Sequence, residues 1–302
     1  MRAAVLAMAF ALASGAAAAE SCANNPDALG TSRELVVSAG EYARLGVMQY
    51  RDTLPLAHRE VVLTFDDGPL PPYTDHVLEA LAAECVKATF FLVGRHARAY
   101  PDAVRRIYAA GHTIGTHSQN HPLTFNLMSE PHVEHEIDQG IASIGAALGE
   151  PRALAPFFRI PGLLRTRNVE AYASARSLVV WSSDTLADDW RLITAAQVLH
   201  LAISRLEAKG KGILLLHDIQ PRTVLMLPTL LRELKARGFK IVHAVSGGER
   251  LPLPEAPVMV ARPLPKAWPT VQATAVRSTT GSGGATERHT RAMTVFDLHA
   301  AN

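Results

Sequence analysis

Seven short apolar runs, rich in β-branched and aromatic residues, recur along the chain, and each but the last is followed by a stretch with helical spacing; no other feature narrows the fold as much. The runs fall at 61–65, 88–93, 113–116, 157–160, 178–182, 213–216 and 240–242, and helical periodicity covers 74–84, 102–110, 131–148, 166–175, 194–209 and 223–237. The runs are continuously apolar instead of alternating, which is expected of strands covered on both faces in a parallel sheet. Strand–helix units in succession predict an α/β fold. The count fits a closed or nearly closed barrel better than an open doubly wound sheet.

The ends of the chain read differently. Residues 20–57 carry a weaker strand signal at 34–37 and are expected to cap one end of the body, which spans 58–247. Residues 248–302 are rich in Pro, Ala, Thr, Gly and Ser and include Gly281-Ser282-Gly283-Gly284, the composition of a largely disordered, low-complexity tail. Residues 1–19 begin with the charge of Arg2, continue through an apolar run at 3–13 and end in Ala17-Ala18-Ala19, the pattern of a secretory signal peptide cleaved before Glu20. That run is shorter than the roughly 20 residues a membrane span needs, so a periplasmic or secreted protein with no membrane span is expected. Cys22 and Cys85 are the only cysteines. An oxidising compartment would let them pair and tie the new N-terminus to the body; two free buried thiols are the alternative. The formal net charge of the 302 residues is +2, with basic residues scattered instead of gathered in a stripe. That gives no electrostatic case for nucleic acid as a partner and suits a neutral substrate.

In a parallel barrel the reactive groups gather where strands end. Here the first run ends at Asp66-Asp67-Gly68-Pro69, the third at His117-Ser118-Gln119-Asn120-His121, the fourth at Arg159-Ile160-Pro161-Gly162, the fifth at Asp184 and the sixth at His217-Asp218. Adjacent carboxylates after a strand point to different sides, so Asp66 and Asp67 can divide metal binding and proton transfer between them. His117 and His121 share a face if the segment turns helically, a spacing at which two imidazoles reach one ion. With one carboxylate they form a facial set. Zinc is the default divalent ion in an exported hydrolase, and the same ligands hold cobalt, nickel or manganese. Each signal alone is weak, since Asp, Gly and Pro favour turns for backbone reasons; their coincidence at successive strand ends is what points to a metal site. His132, His135 and Glu136 form a second cluster, but in a charged helical stretch read as a solvated face. His112 and His243 read as structural.

These strings, with Asp189-Trp190 and Leu215-Leu216-His217-Asp218, resemble in order and spacing the five motifs of the NodB-type polysaccharide deacetylases, carbohydrate esterase family 4, over roughly residues 58–245. Ala88-Thr89-Phe90-Phe91-Leu92-Val93-Gly94 resembles the family's second strand. The resemblance implies a distorted (β/α)7 barrel and a monomer acting on an N-acetylated glycan. It implies Asp66 as general base, His217 as general acid, and Asp67, His117 and His121 as metal ligands. Arg159 would orient Asp66, Asp189 would hold His217, and Leu215 would line the acetyl pocket. A backbone N–H near Gly162 would help hold the oxyanion. Gly162 itself stands where the family usually has an aromatic residue, which leaves Trp190, or Trp181, for stacking on sugar. The implied activity is removal of N-acetyl groups from chitin oligomers, peptidoglycan or poly-N-acetylglucosamine. The alternatives are O-deacetylation of acetylxylan, or a catalytically silent glycan-binding relative. A serine hydrolase lacks its Gly-x-Ser-x-Gly elbow here, and a nucleotide enzyme its glycine-rich loop.

Overall fold

The computed structural model describes residue 22, residues 25–150 and residues 153–247. Within it the apolar runs form parallel strands: β1 (Thr31–Val37), β2 (Arg44–Leu45), β3 (Glu60–Asp66), β4 (Thr89–Leu92), β5 (Thr113–Thr116), β6 (Leu154–Phe158), β7 (Val179–Trp181), β8 (Thr185–Leu186), β9 (Gly212–His217) and β10 (Lys240–Ser246). The helices are α1 (Tyr73–Ala83), α2 (Gly94–Ala99), α3 (Pro101–Ala109), α4 (Glu130–Leu148), α5 (Arg167–Ala175), α6 (Ala195–Lys209) and α7 (Pro221–Ala236).

Neighbouring strands run in the order β8-β9-β3-β4-β5-β6-β7-β2. One edge of β3 pairs with β9 from Val61 to Asp66. Its other edge forks, with Glu60 and Val61 paired to β10 and Thr64 to Asp66 paired to β4. This fork distorts the barrel. At the seam between β2 and β8, Asp184 takes the place of a ladder. Its carboxylate accepts from Val47 N, Thr53 Oγ1 and Ile213 N, each at 2.8 Å, and Met48 N donates to Ser183 O at 3.0 Å.

Continuous apolarity in the strands has the cause inferred from sequence, because both faces are covered. Val62, Phe91, Phe157, Val179, Trp181 and Ile213 build one apolar cluster inside the sheet. Val61, Leu63, Phe65, Phe90, Leu214 and Leu216 face the helices in a second. Burying a side chain of this size contributes about 1.5–3 kcal/mol. Inner and outer residues alternate with the strand period of two, but both faces are largely apolar, so the alternation is silent in sequence.

The described residues before β3 add two strands to the sheet. β1 joins the sheet beside β10 and β2 joins it beside β7. β1 reads weakly because Glu34 and Val36 are exposed at its outer side, and β2, at two residues, is too short for periodicity to register. Cys22 and Cys85 are joined by a disulfide with a Cα–Cα distance of 5.7 Å. Among the described residues no helix is long and apolar enough to cross a membrane. The expected signal peptide at 1–19 and the expected tail at 248–302 lie outside the described residues.

Candidate active site

The strand period that puts Val62 and Ile213 into the inner cluster also puts Asp66 and His217, four residues further along each strand, over the same interior at its C-terminal end. The two are register partners across β3 and β9. Arg159, two residues after the inward Phe157, points in as well and is fully buried. Thus one face of three strands carries the polar cluster.

Immediately beyond β3, Asp67 adopts the left-handed region, φ 78°, and its carboxylate turns toward the loop after β5. Asp67 Oδ1 lies 3.2 Å from His121 Nε2 and 3.5 Å from His117 Nε2. One donor atom from each of the three falls within 4.8 Å of the others. Asp67 Oδ1 is buried and accepts no hydrogen bond, while His117 Nδ1 donates to Arg159 O at 2.6 Å, which leaves Nε2 as the donor atom. One carboxylate oxygen facing two imidazole nitrogens fits a divalent cation, with positions left for water and substrate. The three imidazolium-capable neighbours His121, His217 and His117 hold the Asp67 carboxyl below its ordinary value against the opposing effect of burial, and burial pushes His117 down to about 4.

The two histidines do not meet on a helical turn, as their spacing suggested. Ser118 and His121 both sit in the left-handed region, φ 68° and 56°, and the segment between them is irregular. Its shape comes from its neighbours. Gly94 N and Arg95 N, at the start of α2, donate to Ser118 O and Gln119 O at 2.9 and 2.8 Å, and Gln119 N donates to Glu136 O on α4 at 2.8 Å. A Cβ on Gly140 of α4 would meet Ser118 C at 2.7 Å, so only glycine lets the helix lie this close. The imidazoles end with ring centroids 4.8 Å apart.

Two further pairs flank this cluster. Arg159 Nη1 donates to Asp66 Oδ1 at 2.6 Å and to Thr64 Oγ1 at 2.9 Å, and its Nη2 donates to Ser182 O at 2.9 Å. Asp189, fully buried, accepts from His217 Nδ1 at 2.7 Å through one oxygen, and from His217 N and Thr223 Oγ1 at 2.7 and 2.6 Å through the other. Burial alone would strip the proton from His217, but the charge and hydrogen bond of Asp189, with Asp67 and Asp66 behind it, push it up to about 10. Its Nε2 lies 4.0 Å from Asp67 Oδ2.

Leu215 is buried yet belongs to neither apolar cluster and sits one inward position below His217. Trp190, partly exposed, packs edge-on against His217 at 5.7 Å. Trp181 is buried between Phe91 and Phe157 and has no face for a sugar. Gly162 has φ 59°, and a Cβ there would only touch Leu123 and Leu164 at 3.4 Å. The backbone conformation, more than lack of space, is what suits glycine at that turn.

Other polar residues take roles the sequence concealed. Glu136 is buried, not part of a solvated face, whereas His132 and His135 on the opposite side of α4 are exposed. His96 Nδ1 bonds to Asp67 O at 2.7 Å. Its helix, α2, is six residues long and escaped the periodicity. Asp184, expected on the rim, seals the seam instead. Asp218 is buried, with Oδ2 accepting from Thr74 Oγ1 at 2.5 Å, and burial first, then Asp67, raise its carboxyl to about 7. His112 Nδ1 accepts from Ala88 N at 3.1 Å, just before β5, and His243 Nε2, from within β10, meets Thr113 Oγ1 at the start of β5 at 2.9 Å.

The polysaccharide deacetylase family profile matches residues 54–180. A peptidoglycan-N-acetylglucosamine deacetylase of Bacillus cereus is 35% identical over 190 residues, covering 59% of this chain and 66% of that protein. A chitooligosaccharide deacetylase of Bradyrhizobium sp. is 32% identical over 199 residues, covering 61% of this chain and 88% of that protein. Among solved structures, a peptidoglycan deacetylase of Bdellovibrio bacteriovorus matches with a TM-score of 0.63 at 32% identity, covering 71% of this chain and 59% of that one. The chain therefore spans only part of the Bacillus cereus and Bdellovibrio proteins but most of the Bradyrhizobium one. Sequence identity over nearly the whole of a relative, a shared fold and the motif residues gathered at one strand end lead to one assignment: the chain belongs to the polysaccharide deacetylases, the NodB-type carbohydrate esterases of family 4.

Proposed function

We propose that this protein hydrolyses the acetamide of an N-acetylated amino-sugar glycan, releasing acetate and leaving the free amine on the sugar. The observation that carries the reading is the pairing of Asp66 with His217 on adjacent strands, on either side of the Asp67, His117 and His121 cluster. Amide hydrolysis needs a base for the attacking water and an acid for the departing nitrogen, and an aspartate facing a histidine that another carboxylate keeps protonated can supply them.

A divalent ion held by Asp67, His117 and His121, zinc by default and cobalt, nickel or manganese by the same ligand chemistry, would supply Lewis acidity to water and to the acetyl carbonyl. Asp66 then accepts the proton of the attacking water through Oδ2, since Oδ1 is held by Arg159. That guanidinium fixes the carboxylate's direction from below. His217, protonated at neutral pH and anchored through Nδ1 by Asp189, presents Nε2–H to the leaving nitrogen. Asp189 so fixes both tautomer and orientation. Leu215 lies where it would receive the acetyl methyl, and Trp190 offers an aromatic edge for the sugar. The backbone N–H near Gly162 is the protein's contribution to the oxyanion.

Export fits the reading: the N-terminal sequence has a signal peptide's pattern, the Cys22–Cys85 disulfide suits an oxidising compartment, and the relatives named for peptidoglycan act on an extracytoplasmic polymer. A panel of chitin oligomers, peptidoglycan, poly-N-acetylglucosamine and acetylxylan, read by acetate release before and after chelation, tests both substrate and metal. N-acetylated glycans should release acetate, chelation should stop it, and zinc or cobalt should restore it. Release from acetylxylan alone would replace the amide substrate by an ester.

A further inference from the structure

The two histidines of the metal cluster are unequally supported. His117 follows β5 directly, its N–H donates to Leu92 O at 2.8 Å and its ring is pinned by Arg159 O; its side chain is 3% exposed. His121 is 20% exposed, sits in the left-handed region, and is tied locally only by its own N–H to Ser118 Oγ at 3.1 Å. Its position depends on the residue before it. Asn120 is held at both its groups by one carboxylate: Asn120 N donates to Glu136 Oε2 at 2.8 Å and Asn120 Nδ2 to Glu136 Oε1 at 2.6 Å.

Glu136 is an unusual residue for that place. Its neighbours on the inward side of α4 are Val133, Ile137, Gly140, Ile141 and Ile144, and packing alone would be served by another aliphatic. A buried carboxyl group is costly unless its oxygens are satisfied. Here Asn120 satisfies both oxygens.

We propose that Glu136 is a positioning residue for the metal site: by clamping Asn120 it fixes the backbone that carries His121, and thereby sets how tightly the site holds its divalent ion. This rests on the metal assignment made above. Residues that orient a ligand without touching the ion commonly change metal affinity by about 10- to 100-fold, and the backbone relay here places the effect toward the lower end.

The test uses the full chain and Zn2+, with affinity read by competition against a chromophoric chelator and ligand geometry by the visible absorption of the Co2+ form. Glu136→Gln replaces one acceptor oxygen with a donor and should weaken Zn2+ binding about tenfold and shift the Co2+ bands. Asn120→Ala removes one of the two bonds at an exposed position, so its folding is not at risk, and should weaken binding by less. The double variant should be no weaker than Glu136→Gln alone, because both changes break the same contact. Melting of the metal-free proteins separates lost affinity from lost structure. Folded Asn120→Ala and Glu136→Gln proteins that bind Zn2+ as tightly as wild type, with unchanged Co2+ bands, would overturn the inference while leaving the metal site intact. A wild-type protein that takes up no Zn2+ would overturn both.

Discussion

His217 and His112 stand at opposite ends of the same barrel, both largely out of water, and the fold holds them in opposite charge states. At the end where strands begin, burial, then Lys87 and His243, push His112 from 6.5 down to about 3; burial, then Lys87, takes His243 to about 4. At the end where strands finish, burial acts on His217 in the same direction, but Asp189 reverses it and the value rises to about 10. Desolvation alone makes a buried histidine a neutral packing group with a hydrogen bond to satisfy. A carboxylate at 2.7 Å makes it an acid. The proposed acid is the histidine hydrogen-bonded to a buried carboxylate; the nearest carboxylate to His243, that of the exposed Glu34, stands 3.8 Å away.

Chelation should break the contrast most completely, taking acetate release to background while leaving the lower end folded, as judged by circular dichroism. Next in size is Asp189→Asn, which removes the charge that distinguishes His217. The alkaline limb of the kcat/KM profile should move from near 10 toward 6.5 or below, and at pH 8 the rate should fall about 30-fold or more, the fraction of imidazolium lost. Stability of the metal-free protein should separate the two ends by sign. The raised value of His217 contributes stability that is complete below 6.5 and is lost as pH rises through about 10, whereas the lowered values of His112 and His243 contribute stability present above 6.5 and lost as pH falls toward 4 and 3. Urea unfolding across pH should show the acid-side loss diminished in His112→Gln and the alkaline-side loss diminished in Asp189→Asn. The smallest effect is expected for His243→Gln, which weakens the Thr113 contact, costs about 1 kcal/mol and leaves acetate release unchanged.

The sequence made the upper end far more legible than its supports. Asp66, Asp67, His117, His121, Arg159 and His217 announce themselves because polar residues directly after apolar runs are conspicuous, and the structure brings all six together. The seven strands from β3 to β7, β9 and β10 were visible as continuous apolar runs, and the six longer helices because their periodicity extends over enough residues; β1, as long as β3, was not, because its outer side is exposed. What stayed hidden depends on contacts distant in the chain. Asp184 reads as another rim carboxylate until Val47, Thr53 and Ile213 are seen around it. Glu136 lies in a charged stretch whose exposed face, His132 and His135, masks its buried one. His96 donates to a main-chain oxygen, a partner no motif records. The helical turn expected between His117 and His121 is absent because α2 and α4 satisfy that loop's backbone from both sides, so it needs no helical bonds of its own.

Asp66→Asn tests the central claim most directly, because it removes the base without touching the Asp67, His117 and His121 cluster. Acetate release from N-acetylglucosamine oligomers should be measured for wild type and variant at equal, verified zinc content. The account predicts a variant that holds zinc as wild type does and releases acetate about 10²- to 10⁴-fold more slowly. Turnover within a few-fold of wild type at the same zinc content would contradict it.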